Sequence, residues 1–288
     1  MYIHATHSIS RAQSLGDKVG GNNAALKGEK LAAYPDYTTY IPASIRRRMS
    51  VGVRMGVTCA KALGELGSAH SVIVGTGMGC IIESVNFMND IKAASAVSPT
   101  SFIQSVHNTV AGQIAINMQN TGYNMTFSHG GFSFESALKD AQILCQEGQA
   151  VLVGGVEEYS ETYAEFEGMN NEDLSEGASF FNVSSREAGA IAKVSLIDHL
   201  SCTPGGEETA LLNYTQAKGI VAPQHISKGQ SVPGASMGDG YSDICGIYMS
   251  NAAFGLYLAC QQIKDHNSIA IVNRFNDHNC GLTIVAKP

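Results

Sequence analysis

The chain has 288 residues, of which 44% are apolar and 15% charged, and its formal net charge is −7. That composition supplies a large core and excludes global disorder, and the negative balance disfavours binding to a phosphate backbone. No apolar run reaches the roughly 18 residues of a transmembrane helix, so no membrane span is expected. The opening Met1-Tyr2-Ile3-His4-Ala5-Thr6-His7 has no basic stretch ahead of an apolar core, so no signal peptide is expected either. The seven cysteines are scattered without a Cys-x-x-Cys pair. They read as free thiols in a reducing cytoplasm.

In chain order, Tyr2–Ile9 is expected as a strand. Ala43–Leu66 is expected as one long helix, because apolar and small residues recur at three-and-four spacing. Ser71–Val74 reads as a short buried strand running into Gly75-Thr76-Gly77-Met78-Gly79. Ser105–Met118 is expected helical, Met125–Ser128 extended, Phe132–Gln146 helical, and Ala150–Val153 a strand ended by Gly154-Gly155. Ala188–Leu196, Ile247–Ile263, Ser268–Val272 and Leu282–Val285 follow as strand, helix, strand, strand, with the last two joined as a hairpin by Asn276–Gly281. Length leaves one large domain or two small ones open, and alternating elements with doubly apolar strands predict an α/β chain, a mostly parallel sheet covered by helices on both faces. Asp140–Ser185 holds ten acidic residues and no Lys or Arg. It is expected to be a solvated excursion, the alternative being a face toward a basic partner.

Several short motifs fail in context. Gly75–Gly79 lacks the third glycine of a dinucleotide fingerprint, where Cys80 stands, and lacks the distal acid, so a tight turn is the better account. His129-Gly130-Gly131, Gly234-Ala235-Ser236-Met237-Gly238, Asp277 and His278 suggest an esterase. Ser236, however, follows a polar segment with Pro and Gly rather than a buried strand. The pairs His4/His7 and His278/Cys280 have no third or fourth ligand nearby, so no metal or cofactor is expected.

Ser105–Glu158 carries more. Ser105-Val106-His107-Asn108-Thr109 opens a helix, a strand ends at Phe127-Ser128-His129, a helix runs to Gln146, and a strand ends in Gly154-Gly155-Val156-Glu157. This unit resembles the condensing-enzyme (thiolase-fold) family, specifically the elongating β-ketoacyl synthases. Tyr40-Ile41-Pro42, Arg46-Arg47-Arg48-Met49-Ser50, Ser98-Pro99-Thr100-Ser101-Phe102, His107-Asn108 and Cys245-Gly246-Ile247-Tyr248 resemble the ketosynthase-like proteins of aryl-polyene and flexirubin pigment clusters. The resemblance covers residues 40–160 and, more loosely, 186–288. It implies a single ketosynthase-like domain over residues 1–288 with a thiolase-like layered α/β fold, helices sandwiching mostly parallel mixed sheets, truncated in the second half.

In that family a nucleophilic cysteine opens the central helix, whose N-terminus lowers the thiol pKa and offers N–H groups to an oxyanion. Here His129 occupies the nucleophile slot, 25 residues before Gly154, and no cysteine lies between Cys80 and Cys145. Ile247 stands at the second histidine slot and Ser242 at the lysine slot. His225 is in the region of the first histidine but lacks its flanking glycines, and Arg274–Asn279 replaces the Gly-Phe-Gly-Gly loop. Claisen condensation needs a thiolate and two groups that drive decarboxylation, and all these slots are altered together.

The resemblance therefore implies a chain-length factor: a subunit without its own catalysis that pairs with an active ketosynthase and shapes its acyl tunnel. Its expected partners are that ketosynthase, as a heterodimer, and an acyl carrier protein with its acyl chain. Arg46, Arg47, Arg48 and Arg54 are candidate carrier-docking residues, with an ordinary solvated helix start as the alternative. His129 is expected as a relic whose hydrogen-bonded ring fills the old thiol pocket. The alternatives are a malonyl-carrier decarboxylase acting through His129 or a divergent acyltransferase acting through Ser128. Met78, Met118, Met125 and Met169 are candidates for an adaptable apolar surface, with core filling as the alternative.

Overall fold

The computed structural model describes residues 1–15, 28–64, 71–93, 96–161, 174–203, 205–230 and 240–288. The strands are β1 (Tyr2–Ser10), β2 (Ser71–Gly75), β3 (Asn124–Phe127), β4 (Val151–Glu157), β5 (Gly177–Ser184), β6 (Ala192–Ser201), β7 (His225–Gln230), β8 (Ser268–Asn276) and β9 (Asn279–Ala286). The helices are α1 (Ala43–Arg46), α2 (Val51–Ala62), α3 (Ile81–Lys92), α4 (Pro99–Gln104), α5 (Thr109–Asn117), α6 (Ser133–Gln146), α7 (Glu207–Lys218), α8 (Tyr241–Cys245) and α9 (Ala252–Gln262).

All nine strands join in one sheet of order β3-β2-β4-β5-β1-β6-β9-β8-β7. Three pairings (β2–β3, β2–β4, β7–β8) are parallel and five are antiparallel. The mixed, layered class is as expected, but the balance within the sheet is antiparallel rather than mostly parallel. The β8–β9 hairpin, turning on Asp277-His278, is one cause. The other is that β5, wholly missed in the sequence, slots between β4 and β1 antiparallel to both.

Outward from the β1–β6 seam, the sheet repeats itself. One side runs β1-β5-β4-β2 and the other β6-β9-β8-β7, each with two antiparallel pairings and then a parallel one. The first half adds β3 at its outer edge. Two residue pairs, Tyr2↔Lys193 and Ile3↔Ala192, close the seam. The strand alternation then builds layers. Val151, Val153, Ile269 and Ile271 face a central core around α6 and α9, which both halves share. Leu152, Val72 and Val74 face α2 and α5 on one outside. Ala270, Val272 and Leu282 face α7 on the other. α9 (AAFGLYLACQQ) is apolar on nearly every side, which suits the middle layer.

The long helix expected from Ala43 divides at residues 47–50, because Ser50 caps α2 by accepting the Val53 N–H at 3.2 Å. The helix expected from Ser105 starts only at Thr109, as α5, and a separate short helix precedes it, α4, with Ser98 as cap and Pro99 in its first turn. The helix expected from Ile247 starts at Ala252.

Candidate functional site

The C-terminal ends of β2, β3 and β4 meet the start of α6. A Cβ on Gly75 would lie 2.6 Å from the Ser133 carbonyl oxygen, so only glycine lets the end of β2 touch that start. The Thr76 N–H donates to the Phe127 carbonyl at 3.0 Å, tying the end of β2 to β3. Between β3 and α6 the chain turns through Ser128, His129 and a single 3-10 turn, Gly130–Phe132, with Gly130 in the left-handed region at φ 56°. The His129 N–H donates to Ser133 Oγ at 2.9 Å, and Ser133 Oγ donates to the Gly130 carbonyl at 2.6 Å. The His129 Nδ1 is 2.9 Å from Ser136 Oγ, and its ring sits edge-on to Phe127. The ring is thus hydrogen-bonded as expected, but it lies exposed on the chain's surface rather than filling a pocket. Ser128, also exposed, donates through Oγ to the Gly77 carbonyl at 3.1 Å. No carboxylate or histidine bonds that hydroxyl among the described residues.

The glycine loop after β2 is occupied by protein. Glu157, at the end of β4, accepts from the Gly77 N–H (2.8 Å), the Met78 N–H (2.8 Å) and Thr76 Oγ1 (2.9 Å). The Gly79 N–H donates to Thr76 Oγ1 at 2.9 Å. Amides that a phosphate would need are already spent on a buried carboxylate, which fits the tight-turn reading. Glu158 accepts the N–H of Gly52 in the first turn of α2 (3.1 Å) and of Ile82 in the first turn of α3 (3.0 Å). Glu176 accepts the N–H groups of Ala32 and Tyr159 and the Tyr34 hydroxyl. All three side chains are buried. Burial pushes the Glu157 carboxyl up to about 7, against the pull of its hydrogen bonds, and raises Glu158 as well. These acids of the Asp140–Ser185 stretch are therefore structural anchors, not a solvated excursion. Glu147 and Glu161 of that stretch are exposed, and its residues 162–173 lie outside the described residues.

The segment before α9 closes the other side. Met249 packs directly on Gly77, where an added Cβ would fall 2.2 Å from its sulfur. Gly77 therefore touches both segments, Ser128 from the one before α6 and Met249 from the one before α9. Ile247 is buried against Leu174, and its carbonyl accepts the Ser175 N–H at 3.1 Å. Ser242 Oγ accepts from Asn251 at 3.3 Å. Arg11, a buried residue that sequence reasoning missed, donates to the carbonyls of Ser242, Asp243 and Ile244 and so binds β1 to α8. Phe275, from the β8–β9 hairpin, stacks at 5.2 Å on Phe132 of the 3-10 turn.

No thiol is available here. All seven cysteines are buried. Burial raises Cys80, at the start of α3, to about 12, and Cys145 to about 11. Behind the 3-10 turn, Glu135 is wholly enclosed, with Oε1 accepting from Asn273 at 2.9 Å and Oε2 without a partner. Its carboxyl is pushed up to about 7 by burial.

The other candidates scatter. Arg47 and Arg48 are exposed at the α1–α2 break with Arg46 half-buried beside them, and none has an ion pair among the described residues. Arg54 is engaged instead with the Tyr37 ring at 5.8 Å and the Ser50 carbonyl. His225 stacks on His266 at 4.8 Å at the start of β7. His4 bonds Ser184, while His7 is on β1. Asp277 and His278 form the hairpin turn and Cys280 lies against Cys202. No group of three or more metal-ligating side chains occurs among the described residues. Met125 is exposed on β3, Met118 packs beside α5, and Met78 is half-buried in the glycine loop. Ser236, its flanking glycines and Met169 lie outside the described residues.

The Beta-ketoacyl synthase, N-terminal domain family matches residues 23–184, more than half of the chain. The chain belongs to the β-ketoacyl synthase family. Among solved structures it is similar to the ishigamide ketosynthase/chain length factor, at 17% identity over 99% of both chains with a TM-score of 0.79. It is also similar to a chain of AntDE:AntF, a type II polyketide acyl-carrier protein in complex with its ketosynthase bound to the hexaketide. That match has 14% identity over 100% of this chain and 99% of that one, with a TM-score of 0.71. A third is the ketosynthase ApeO in complex with its chain length factor ApeC from Xenorhabdus doucetiae, at 16% identity over 98% and 97%, with a TM-score of 0.63. At such identities the likeness is one of fold. A comparison with curated proteins found no match.

Proposed function

We propose that this chain is a non-catalytic ketosynthase-like subunit, a chain-length factor that pairs with an active β-ketoacyl synthase in the cytoplasm and shapes its acyl tunnel during polyene or polyketide pigment assembly. The observation that carries the reading is the start of α6. His129 is the residue that the family resemblance sets at the thiol position, and every cysteine of the chain is buried, which supports a subunit without condensing chemistry. A condensing enzyme cannot hold its acyl chain without an accessible nucleophile.

The partner surface follows from β3. It is an edge strand, bonded to β2 alone. Exposed apolar side chains lie on or next to it: Tyr123 and Met125 on or beside the strand, and Ile116 on α5, which packs on β3. An edge strand flanked by apolar residues is a surface that asks for cover. The neighbouring structures include a ketosynthase in complex with its chain length factor, which supports the active ketosynthase as that cover. Arg46, Arg47 and Arg48 are the proposed docking point for an acidic carrier protein.

Co-expression with the ketosynthase encoded beside it, followed by size-exclusion chromatography with mass detection, tests this. A one-to-one complex is expected. A clean homodimer that ignores the ketosynthase overturns the reading. Acetyl-carrier protein formed from malonyl-carrier protein by the pure chain, and lost in His129→Ala or Ser128→Ala, would put an enzyme in its place.

A further inference from the structure

A second chemical feature lies away from this surface, on the outer face of the second half. Cys202, just past the end of β6, and Cys280, near the start of β9, sit on neighbouring antiparallel strands. Leu200 is directly opposite Cys280, and the Cys202 N–H donates to the His278 carbonyl at 2.9 Å. Both side chains point into the same cluster with Leu200, Leu211 and Leu282. The two sulfur atoms are 2.6 Å apart. No other residue separates them, and the strand pairing fixes both backbones.

The surroundings also decide which of the two sulfurs a reagent reaches. The Arg274 guanidinium, buried at 1% exposure, places Nη2 3.8 Å from Cys202 Sγ while pairing with Glu207. Cys202 keeps 7% of its surface exposed whereas Cys280 keeps none. A reagent of water-like size therefore meets Cys202 first.

We infer that Cys202 and Cys280 are a reversible oxidation site that closes to an intramolecular disulfide when the chain meets hydrogen peroxide. The Cys202 thiolate attacks one peroxide oxygen. The O–O bond breaks, the departing hydroxide takes a proton to become water, and Cys202 becomes a sulfenic acid. The Cys280 sulfur attacks the Cys202 sulfur, the S–O bond breaks, and the oxygen leaves as a second water carrying the Cys280 proton. The two sulfurs together lose two electrons and the peroxide gains them. A dithiol reductant reverses the bond. The disulfide pins the turn end of the β8–β9 hairpin, which carries Phe275 against Phe132, to the end of β6.

The test uses the intact, reduced chain. It is exposed to a small excess of hydrogen peroxide, quenched, unfolded in an alkylating reagent and weighed. The reduced chain takes seven alkyl groups, one for each cysteine. After peroxide it should take five, and digestion should yield one linked peptide pair containing Cys202 and Cys280. Dithiothreitol should restore seven. The oxidised chain should also unfold several degrees higher, because the bond constrains a long loop. The proposal is overturned if seven groups still add, if the link joins other cysteines or two chains, or if Cys202 gains only oxygen. Cys280→Ser gives a check that stands apart from the wild-type mapping. Its peroxide-treated form must carry no internal link, and a link that persists there overturns the assignment.

Discussion

Glu157 and Gly77 are 80 positions apart in sequence and 2.8 Å apart in space, the carboxylate of one accepting the N–H of the other. That bond, with its companions to Met78 and Thr76, fixes the glycine loop against the end of β4. Glu157→Ala leaves three donors unsatisfied, one buried and two part-buried, and should cost about 2–4 kcal/mol in urea-induced unfolding. Glu157→Gln keeps one acceptor oxygen and should cost less. Equal losses from both variants would mean that the carboxylate does not hold the loop.

Two enclosed carboxyls make stability depend on pH. Glu135 and Glu157 both titrate near 7 in the folded chain, raised by burial from an ordinary 4.5. Between those values the folded state binds more protons than the unfolded state. Their contribution is therefore full below about pH 4.5 and is lost as pH rises through about 7. Glu135→Gln removes one of the two titrations. Relative to the parent chain, it should gain stability on the order of 1–3 kcal/mol in going from pH 5 to pH 8. Unfolding curves at the two pH values check this, and a pH-independent difference would refute it.

Gly155 marks where β4 meets the segment leading into α9. A Cβ there would approach Ala253 Cβ at 2.8 Å and the Ser250 carbonyl at 3.0 Å. Gly155→Val should therefore destabilise the chain by about 1–3 kcal/mol or more, through overpacking between the halves. A normal denaturation midpoint would show that the halves can part there without loss.

Arg274 and Glu207 are a buried ion pair, each almost wholly enclosed. Arg274→Met alone strands the Glu207 charge and should cost about 3–5 kcal/mol. Adding Glu207→Leu should recover most of that loss. A double variant no better than the single one would mean that Arg274 acts through its bonds to Thr203 and Asn276 instead.

The exposed apolar residues beside β3 separate folding from assembly. Ile116 is 69% exposed. Ile116→Asp should leave the chain's own stability within about 0.5 kcal/mol. It should also weaken co-elution with the ketosynthase at least tenfold. An unaffected complex would move the partner surface elsewhere.

The strands of the first half were readable because Val72–Val74 and Val151–Val153 are continuous apolar runs with few alternatives to burial. β5 was not, since Gly177-Ala178-Ser179 and Asn182 look like a loop until β1 and β4 flank them. The division at Ser50 had a signal, a serine placed to cap, but the unbroken three-and-four spacing across it masked the break. α7 has no apolar stripe to betray it, although Gly219 in the left-handed region ends it as a helix-terminating glycine does. At the site, position along the chain singles out His129, Ser242 and Ile247. Arg11 and the partners of Glu157 could not, because their contacts are set by the sheet order rather than by any local pattern.

Gly154–Glu158 has a consequence for how such chains are sorted. Glu157 anchors one loop and Glu158 caps two helices, and neither duty depends on what reaction, if any, takes place at the start of α6. A lineage that abandons the chemistry still needs these residues to fold. A search pattern built on them will gather enzymes and their inactive descendants alike, and will measure kinship of architecture rather than of trade.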